Sequence, residues 1–301
     1  MNTLYVCLIR AVLLVGMVFS VAGCSADRPL NPSFAITQRD ARELLKEFKK
    51  NKQPYPRPLI VATGFLDPGI ASLELASRLR GCTPDPGQVI EVSFFSVRTF
   101  DACRELLTRK VESRFPSDDP LQTVEVDVIG FSMGGLVARS AAVRCEEGVP
   151  GTAVRKRLNI RRLFTISTPH LGAKMAGLPA LDPRQRDMRA GSKFLCDLNE
   201  GVASCGYELY PYVRLGDLMV GAENAAPPGR MAWWVAPGFS FAHNWAYKDP
   251  RIIADIVLRL RGQRPITTEP AAPLPGAIPG ETAETAHAEK SGGRAPCPCG
   301  F

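Results

Sequence analysis

The sequence predicts an α/β fold with a mostly parallel central sheet of about six strands and helices on both faces, and three observations carry that prediction. Short apolar runs alternate with amphipathic helical segments along most of the chain, the pattern of βαβ units. The stretch Val126 to Arg139 reads as a buried strand, a turn tight enough to need three glycines, and a helix. At 301 residues, 45% hydrophobic and 22% charged, the chain is long enough for one large α/β domain, or two small ones, with a substantial core. The net charge of +7 is scattered except at Arg155-Lys156-Arg157 and Arg161-Arg162. No aromatic interleaving accompanies those clusters, so no nucleic-acid partner is expected.

Taken in order, Thr37 opens an amphipathic helix to about Lys50, with Ala41, Leu44, Leu45 and Phe48 at helical spacing, and the proline-rich run Gln53 to Pro58 stops it. Leu59 to Phe65 is a short apolar strand that runs into Gly64. A helix from Ile70 to Leu79 is closed by Gly81; Val89 to Phe95 reads as strand and Thr99 to Arg114 as helix. Val124, Val126, Val128 and Ile129 lead into the glycine turn, and Leu136 to Val143 leads out of it. Ile160 to Ser167, Leu209 to Leu215 and Met231 to Val235 are the remaining strands, and Pro250 to Leu260 is the final helix. Residues 172–207 are irregular and are expected to form a short cap-like insertion over the site. In such a sheet, ligands belong outside the carboxyl ends of the strands.

Gly130-Phe131-Ser132-Met133-Gly134 fits G-x-S-x-G, in which a serine on a strained strand-to-helix turn presents its hydroxyl above the sheet. Glycines at 130 and 134 let strand and helix approach closely. A serine hydroxyl is a poor nucleophile at neutral pH and needs a base, which in turn needs an orienting acid. Of the three histidines, His287 lies in a low-complexity tail and His170 directly follows a strand, while His243 sits in a loop just before the last helix, where the base of a Ser-Asp-His chain order falls. The acid of that order lies between them, and Asp217 is presented by Gly216 at a strand's end. Asp182, Asp187 and Asp197 are its competitors, all within the irregular insertion. The developing oxyanion needs backbone N–H donors, assigned to Met133 and to Phe65 in the Thr63-Gly64-Phe65 loop.

With these residues in place the chain resembles a bacterial α/β-hydrolase of the lipase and esterase kind over residues 55–262. Gly130 to Gly135 resembles that family's G-H-S-M-G-G elbow, with Phe131 in place of histidine, and Thr63-Gly64-Phe65 takes the place of its His-Gly oxyanion turn. Ser167-Thr168-Pro169-His170-Leu171-Gly172 is similar to the T-P-H-x-G segment of several lipases, where His170 shapes the site wall by hydrogen bonding. The resemblance implies a serine hydrolase that cleaves carboxylic esters through an acyl-enzyme, on ester or lipid substrates, with catalytic Ser132, Asp217 and His243 and no cofactor. An acyltransferase or amidase on the same three residues, and a non-catalytic scaffold lipoprotein that kept the fold, are the alternatives. Phe65, Leu66, Met133, Leu171, Met175, Trp233 and Trp234 are candidates for an apolar mouth.

Residues 1–23 read as a signal peptide: Arg10 precedes an apolar run from Ala11 to Gly23 that is too short to span a bilayer. The ending Val21-Ala22-Gly23-Cys24 resembles the lipobox of bacterial lipoproteins, which implies a lipidated Cys24 and, with Ser25 after it, an outer-membrane location facing the periplasm or the surface. Residues 24–54 are then a tether and helix, flexible to about residue 37. Nine cysteines suit an oxidising compartment. Cys196 with Cys205 is the first disulfide expectation and Cys82 with Cys103 the second. From residue 263 onward the Pro- and Ala-rich composition predicts a disordered tail to residue 301. Its Cys297-Pro298-Cys299 resembles half of a small zinc motif, but a structural site takes four ligands, so no metal is expected.

Overall fold

The computed structural model describes residues 30–143, 156–177, 182–201, 206–237 and 242–275. Six parallel strands form one sheet in the order β2-β1-β3-β4-β5-β6. They are β1 (Leu59–Ala62), β2 (Val89–Val92), β3 (Val126–Phe131), β4 (Ile160–Ile166), β5 (Glu208–Arg214) and β6 (Trp233–Val235). The principal helices are α1 (Gln38–Lys50), α2 (Ile70–Arg80), α3 (Phe100–Arg114) and α4 (Met133–Ala142), then α5 (Pro183–Asp187), α6 (Lys193–Glu200), α7 (Ala242–Ala246) and α8 (Pro250–Leu260).

The period-two alternation of a strand divides the core between the two faces of the sheet. Leu59 and Val61 of β1 join one apolar cluster with residues of α1, α2 and α8, whereas Ile60 and Ala62 join the other with residues of α3, α4 and α6. The chain passes from β1 out to β2, then returns past β1 to β3, and continues to β6 on the far side. The connections leaving β1 and β3 therefore diverge, and their carboxyl ends form the crevice in which α/β sheets bind ligands. Ser132 stands at that point.

Local chemistry sets the element ends. Thr37 accepts from the Asp40 N–H, Thr99 from the Ala102 N–H and Asp249 from the Arg251 N–H, each satisfying an otherwise orphaned donor at a helix start. Arg261, just past α8, donates to the carbonyls of Phe48, Asn51 and Cys82 and lies 4.4 Å from the Phe48 ring centroid, which ties α1 to α8.

Four expectations are corrected. Cys82 and Cys103 are both free and buried, because Cys82 packs in the cluster on one face of the sheet and Cys103 in the cluster on the other. Burial pushes the Cys103 thiol up to about 11 and that of Cys82 up as well, so both behave as small apolar groups. Residues 263–275 pack against the domain. Asp255 accepts from the backbone N–H groups of Ile266 (2.6 Å) and Thr267 (2.9 Å), and the indole N–H of Trp233 donates to Thr268 O. The end of the expected tether is also fixed: Asn31, Ser33 and Phe34 are buried, and Asn31 donates to Trp234 O across 203 residues of sequence. Trp233 and Trp234 thus hold the segments around Asn31 and residues 268–273 and do not line a mouth, Trp234 donating to Ala272 O and Pro273 O. The insertion contains α5 and α6 between irregular segments. Cys196 is disulfide-bonded, while its expected partner Cys205, together with Cys24 and Cys297 to Cys299, lies outside the described residues.

Asp255 is fully buried and also accepts from Tyr212 Oη (2.6 Å) and Arg259 Nε (3.1 Å). Replacing it with Ala leaves Arg259 Nε–H and four other donors, Tyr212 Oη, Thr267 Oγ1 and the N–H groups of Ile266 and Thr267, without this acceptor. Asp255→Ala is expected to lower the unfolding free energy by about 3–5 kcal/mol in urea titration. A loss below about 1 kcal/mol would show that residues 263–275 are held by something else.

Candidate active site

The turn between β3 and α4 is built from the absence of side chains. A Cβ at Gly130 would overlap Gly135, one at Gly134 would overlap the Ala62 carbonyl, and one at Gly135 would overlap the Thr168 side chain. With all three missing, α4 starts directly against β1 and β4, and Ser132 is forced to φ 53°, ψ −128°. The Ser132 N–H donates to Ile166 O (2.9 Å), and its carbonyl accepts from Thr168 Oγ1 (2.9 Å). Leu66 and Ser167 are the other two non-glycine residues with positive φ among the described residues, and they follow β1 and β4. Backbone strain is thus concentrated along the carboxyl edge of β1, β3 and β4, as it is in functional sites that the surrounding structure over-determines.

Across the crevice, β5 ends at a turn that Gly216 makes with φ 81°, and Asp217 follows with 3% of its surface exposed. Its Oδ1 accepts from the N–H groups of Met219 and Val220, both at 3.0 Å, which fixes the carboxylate plane. Its Oδ2 lies 2.8 Å from His243 Nδ1, and His243 Nε2 lies 3.1 Å from Ser132 Oγ. A carboxylate only accepts, so Nδ1 carries the proton and the Nε2 lone pair faces the serine. Burial pushes the Asp217 carboxyl up, but the hydrogen bond and charge of His243, with the Val220 N–H, outweigh it and hold the group below the usual carboxylate range. His243 is on the single turn α7 and not in a loop, and the Phe131 ring packs against the imidazole at 5.1 Å between centroids. Phe131 also meets Tyr247, so the aromatic residue before the serine is a support for the base.

Gly64 lies against Ser132: a Cβ there would come 3.0 Å from Ser132 Cβ and 3.3 Å from Oγ. Phe65 follows it directly. Met133 is the first residue of α4, where N–H groups have no intrahelical acceptor. Both amides expected to meet an oxyanion therefore border Ser132.

His170 has a different place from the base. It is fully buried beneath α4, with Nδ1 2.9 Å from Arg139 Nη1 and Nε2 3.0 Å from Thr165 Oγ1. Arg139 only donates, so Nδ1 is unprotonated and Nε2–H donates to Thr165. Arg139 also donates to Leu198 O and Asn199 Oδ1 of α6, and Asn199 donates to His170 O. The imidazole thus joins the elbow helix, the end of β4 and the insertion. Two of the three rival acids are occupied elsewhere: Asp182 pairs with Arg184 and Asp197 with Lys193. Among the described residues no group of three metal-ligating side chains comes together.

Residues 92–179 match the family described as "Putative serine esterase (DUF676)", a stretch that contains Ser132 and stops before Asp217 and His243. No curated protein matches the chain with significance. Among solved structures it is similar to the Bacillus licheniformis lipase BlEst2 in its propeptide form, at 14% identity and TM-score 0.48, over 75% of this chain and 54% of that one. It is also similar to the Legionella pneumophila phospholipase PlaB in complex with thio-NAD, at 13% identity and TM-score 0.46, over 67% and 57%. A lipase/esterase from Lactobacillus plantarum follows at 13% identity and TM-score 0.39, over 72% and 88%. The chain thus spans little more than half the length of the first two.

Reading the sequence missed the support that Phe131 gives His243, Thr168 gives the Ser132 carbonyl and Arg139 gives His170, since each is a contact between residues distant in the chain.

Burial first, and the neighbouring Arg139 charge second, hold His170 well below the ordinary imidazole value of 6.5. The folded protein therefore keeps His170 neutral, while the unfolded chain takes up a proton below that value, so stability present above pH 6.5 falls as pH drops from there. Thermal melts between pH 7.5 and about 4.5 are expected to show this slope, and His170→Gln, which keeps one acceptor and one donor, is expected to flatten it. An unchanged slope in that variant would contradict the buried neutral imidazole.

Proposed function

We propose that the protein is a serine hydrolase that cleaves carboxylic esters through an acyl-enzyme. One observation carries the reading: an unbroken hydrogen-bonded chain from Asp217 through His243 to Ser132, with the Nε2 lone pair facing the hydroxyl. In this reading Ser132 Oγ attacks the ester carbonyl carbon as His243 Nε2 takes its proton. The oxyanion is met by the N–H groups of Met133 and Phe65. His243 returns the proton to the leaving alkoxide, the C–O bond breaks, and an ester to Ser132 remains. Water then attacks with His243 again as base, releasing the acid and restoring the serine. Asp217 holds the tautomer throughout and stabilises the imidazolium that forms in each half.

An apolar acyl group is the substrate portion we infer. Leu66, Phe95 and Met175 are exposed in the segments leaving β1, β2 and β4; Leu218, 79% exposed, and Met219 follow β5, and Trp245 is exposed two residues from His243. Met175 N–H donates to Met219 O, so two of these segments meet. Exposed apolar groups gathered at one edge mark a surface that meets apolar ligand or lipid.

Ester hydrolysis by the wild type, measured with p-nitrophenyl esters of increasing chain length, is expected to improve with acyl length. Ser132→Ala is expected to lose it together with labelling by a fluorophosphonate probe. Asp217→Asn should lower kcat by about 10⁴-fold through the wrong tautomer. An unlabelled Ser132 in folded wild type would sink the reading.

For the leader we propose that Cys24 is lipidated and holds the enzyme at the outer membrane, facing the periplasm or the surface. The support is the Val21-Ala22-Gly23-Cys24 ending after its apolar run. No helix among the described residues is long and apolar enough to cross a membrane. Metabolic labelling with palmitate should mark the full-length chain in a bacterial host and fail with Cys24→Ser; equal labelling of both would refute the anchor.

A further inference from the structure

Two turns of this chain share the sequence Asp-Pro-Arg and the same geometry. Asp182-Pro183-Arg184 starts α5, and Asp249-Pro250-Arg251 starts α8. In each, the aspartate accepts from the arginine's own N–H and then pairs with its guanidinium through both oxygens, at 3.0 and 2.7 Å in the first and 2.9 and 2.7 Å in the second. In each, the guanidinium also donates to one backbone carbonyl at 2.9 Å just beyond a strand, Phe94 O after β2 and Ala236 O after β6. Such a turn is a rigid mount: the proline presets the first helical residue, and the forked pair leaves the guanidinium no rotational freedom.

The two mounts differ in what the guanidinium faces. Arg184, 1% exposed, lies 5.0 Å from the centroid of the Phe65 ring. Phe65 is half-buried, directly follows Gly64, and is itself followed by the strained Leu66. The two strand exits that Arg184 touches are also laced together, Thr63 N–H donating to Val92 O and Ser93 Oγ to Asp67 O at 2.7 Å. A loop with a strained residue needs an outside hold to keep one conformation. Arg184 supplies it from the insertion, which reaches the Phe65 loop through this side chain.

We propose that Arg184 is a positioning residue for the oxyanion turn: its fixed guanidinium holds the Phe65 ring and thereby sets the Phe65 N–H beside Ser132. The proposal rests on the ester-hydrolase reading of that serine. Its consequence is on the transition state, because the amide acts on the oxyanion and not on the ground-state ester.

The test uses full-length protein with p-nitrophenyl butyrate and three variants: Arg184→Met, Phe65→Leu, which keeps the backbone amide and removes the ring, and the two together. Each single variant that melts cooperatively is expected to lose about tenfold in kcat with KM within about twofold, less than the loss of an oxyanion donor outright. The double variant should be no worse than the poorer single, since both changes remove one contact. A folded Arg184→Met with kcat within about twofold of wild type, or single losses that multiply in the double, overturns the proposal. Should Arg184→Met fail to fold, Phe65→Leu decides alone: unchanged kcat overturns, and a drop of about tenfold at constant KM supports. Wild type inactive on every ester removes the hydrolase reading and the proposal with it, whereas active wild type with unaffected variants removes the proposal only.

Discussion

The close approach of α4 to the sheet at Ser132 is the constraint on which the rest of the site depends. Three positions without a Cβ let the helix begin within contact of β1, β3 and β4 at once. The Ser132 backbone then has no relaxed conformation open to it, and its hydroxyl projects from the carboxyl edge. Everything that serves the hydroxyl is measured from that fixed point. A Cβ on Gly64 would crowd Ser132 at 3.0 Å, and the Thr168 hydroxyl just after β4 meets the Ser132 carbonyl. Phe131 extends the same logic to the base, for the residue before the serine packs on the imidazole that faces it.

Charge is arranged differently at the two ends of the strands. At the amino ends, Asp127 is fully buried and paired with Arg162 and Arg57, and in the middle of α8 Asp255 gathers Arg259, Tyr212 and residues 266–267. These pairs are closed: each carboxylate oxygen is held by groups that have no chemistry to perform. Beside Ser132 at the carboxyl ends, the buried Asp217 spends one oxygen on two backbone N–H groups and leaves the other to His243. The line from this buried carboxylate through the histidine to a half-exposed hydroxyl is what the proposed proton transfer uses, because a charge formed on the imidazole would meet a counterion already in place. The insertion contributes one cationic support, Arg184 against the Phe65 ring, and, through α6, the neutral acceptors of Arg139.

Helices and strands were legible wherever local chemistry and periodicity agree. Thr37, Thr99 and Asp249 cap the helices expected behind them, and Pro250 to Leu260 has the expected bounds, because a cap and an apolar stripe are both properties of a dozen consecutive residues. Strand ends were read too long at Phe65 and Phe95, since an apolar residue that leaves the sheet to line a crevice looks the same as one that stays. The Pro- and Ala-rich run after residue 262 was read as disordered, yet its first part carries no apolar stripe of its own and is held by Asp255, Trp233 and Trp234, partners from elsewhere in the chain.

For this protein the sequence by itself determined the parallel α/β architecture, the strained turn at Ser132 and the chain order of serine, acid and base, because strands, caps and glycine turns are set by neighbours within a few residues. The tertiary structure alone decided that Asp217 and not Asp182 faces His243, that His170 lies under the elbow helix, that Cys82 and Cys103 stand on opposite faces of the sheet, and that Arg184 reaches Phe65. Each of these is a distance between residues far apart in the chain, and such distances exist only once the sheet order and the crossing of the helices have been chosen.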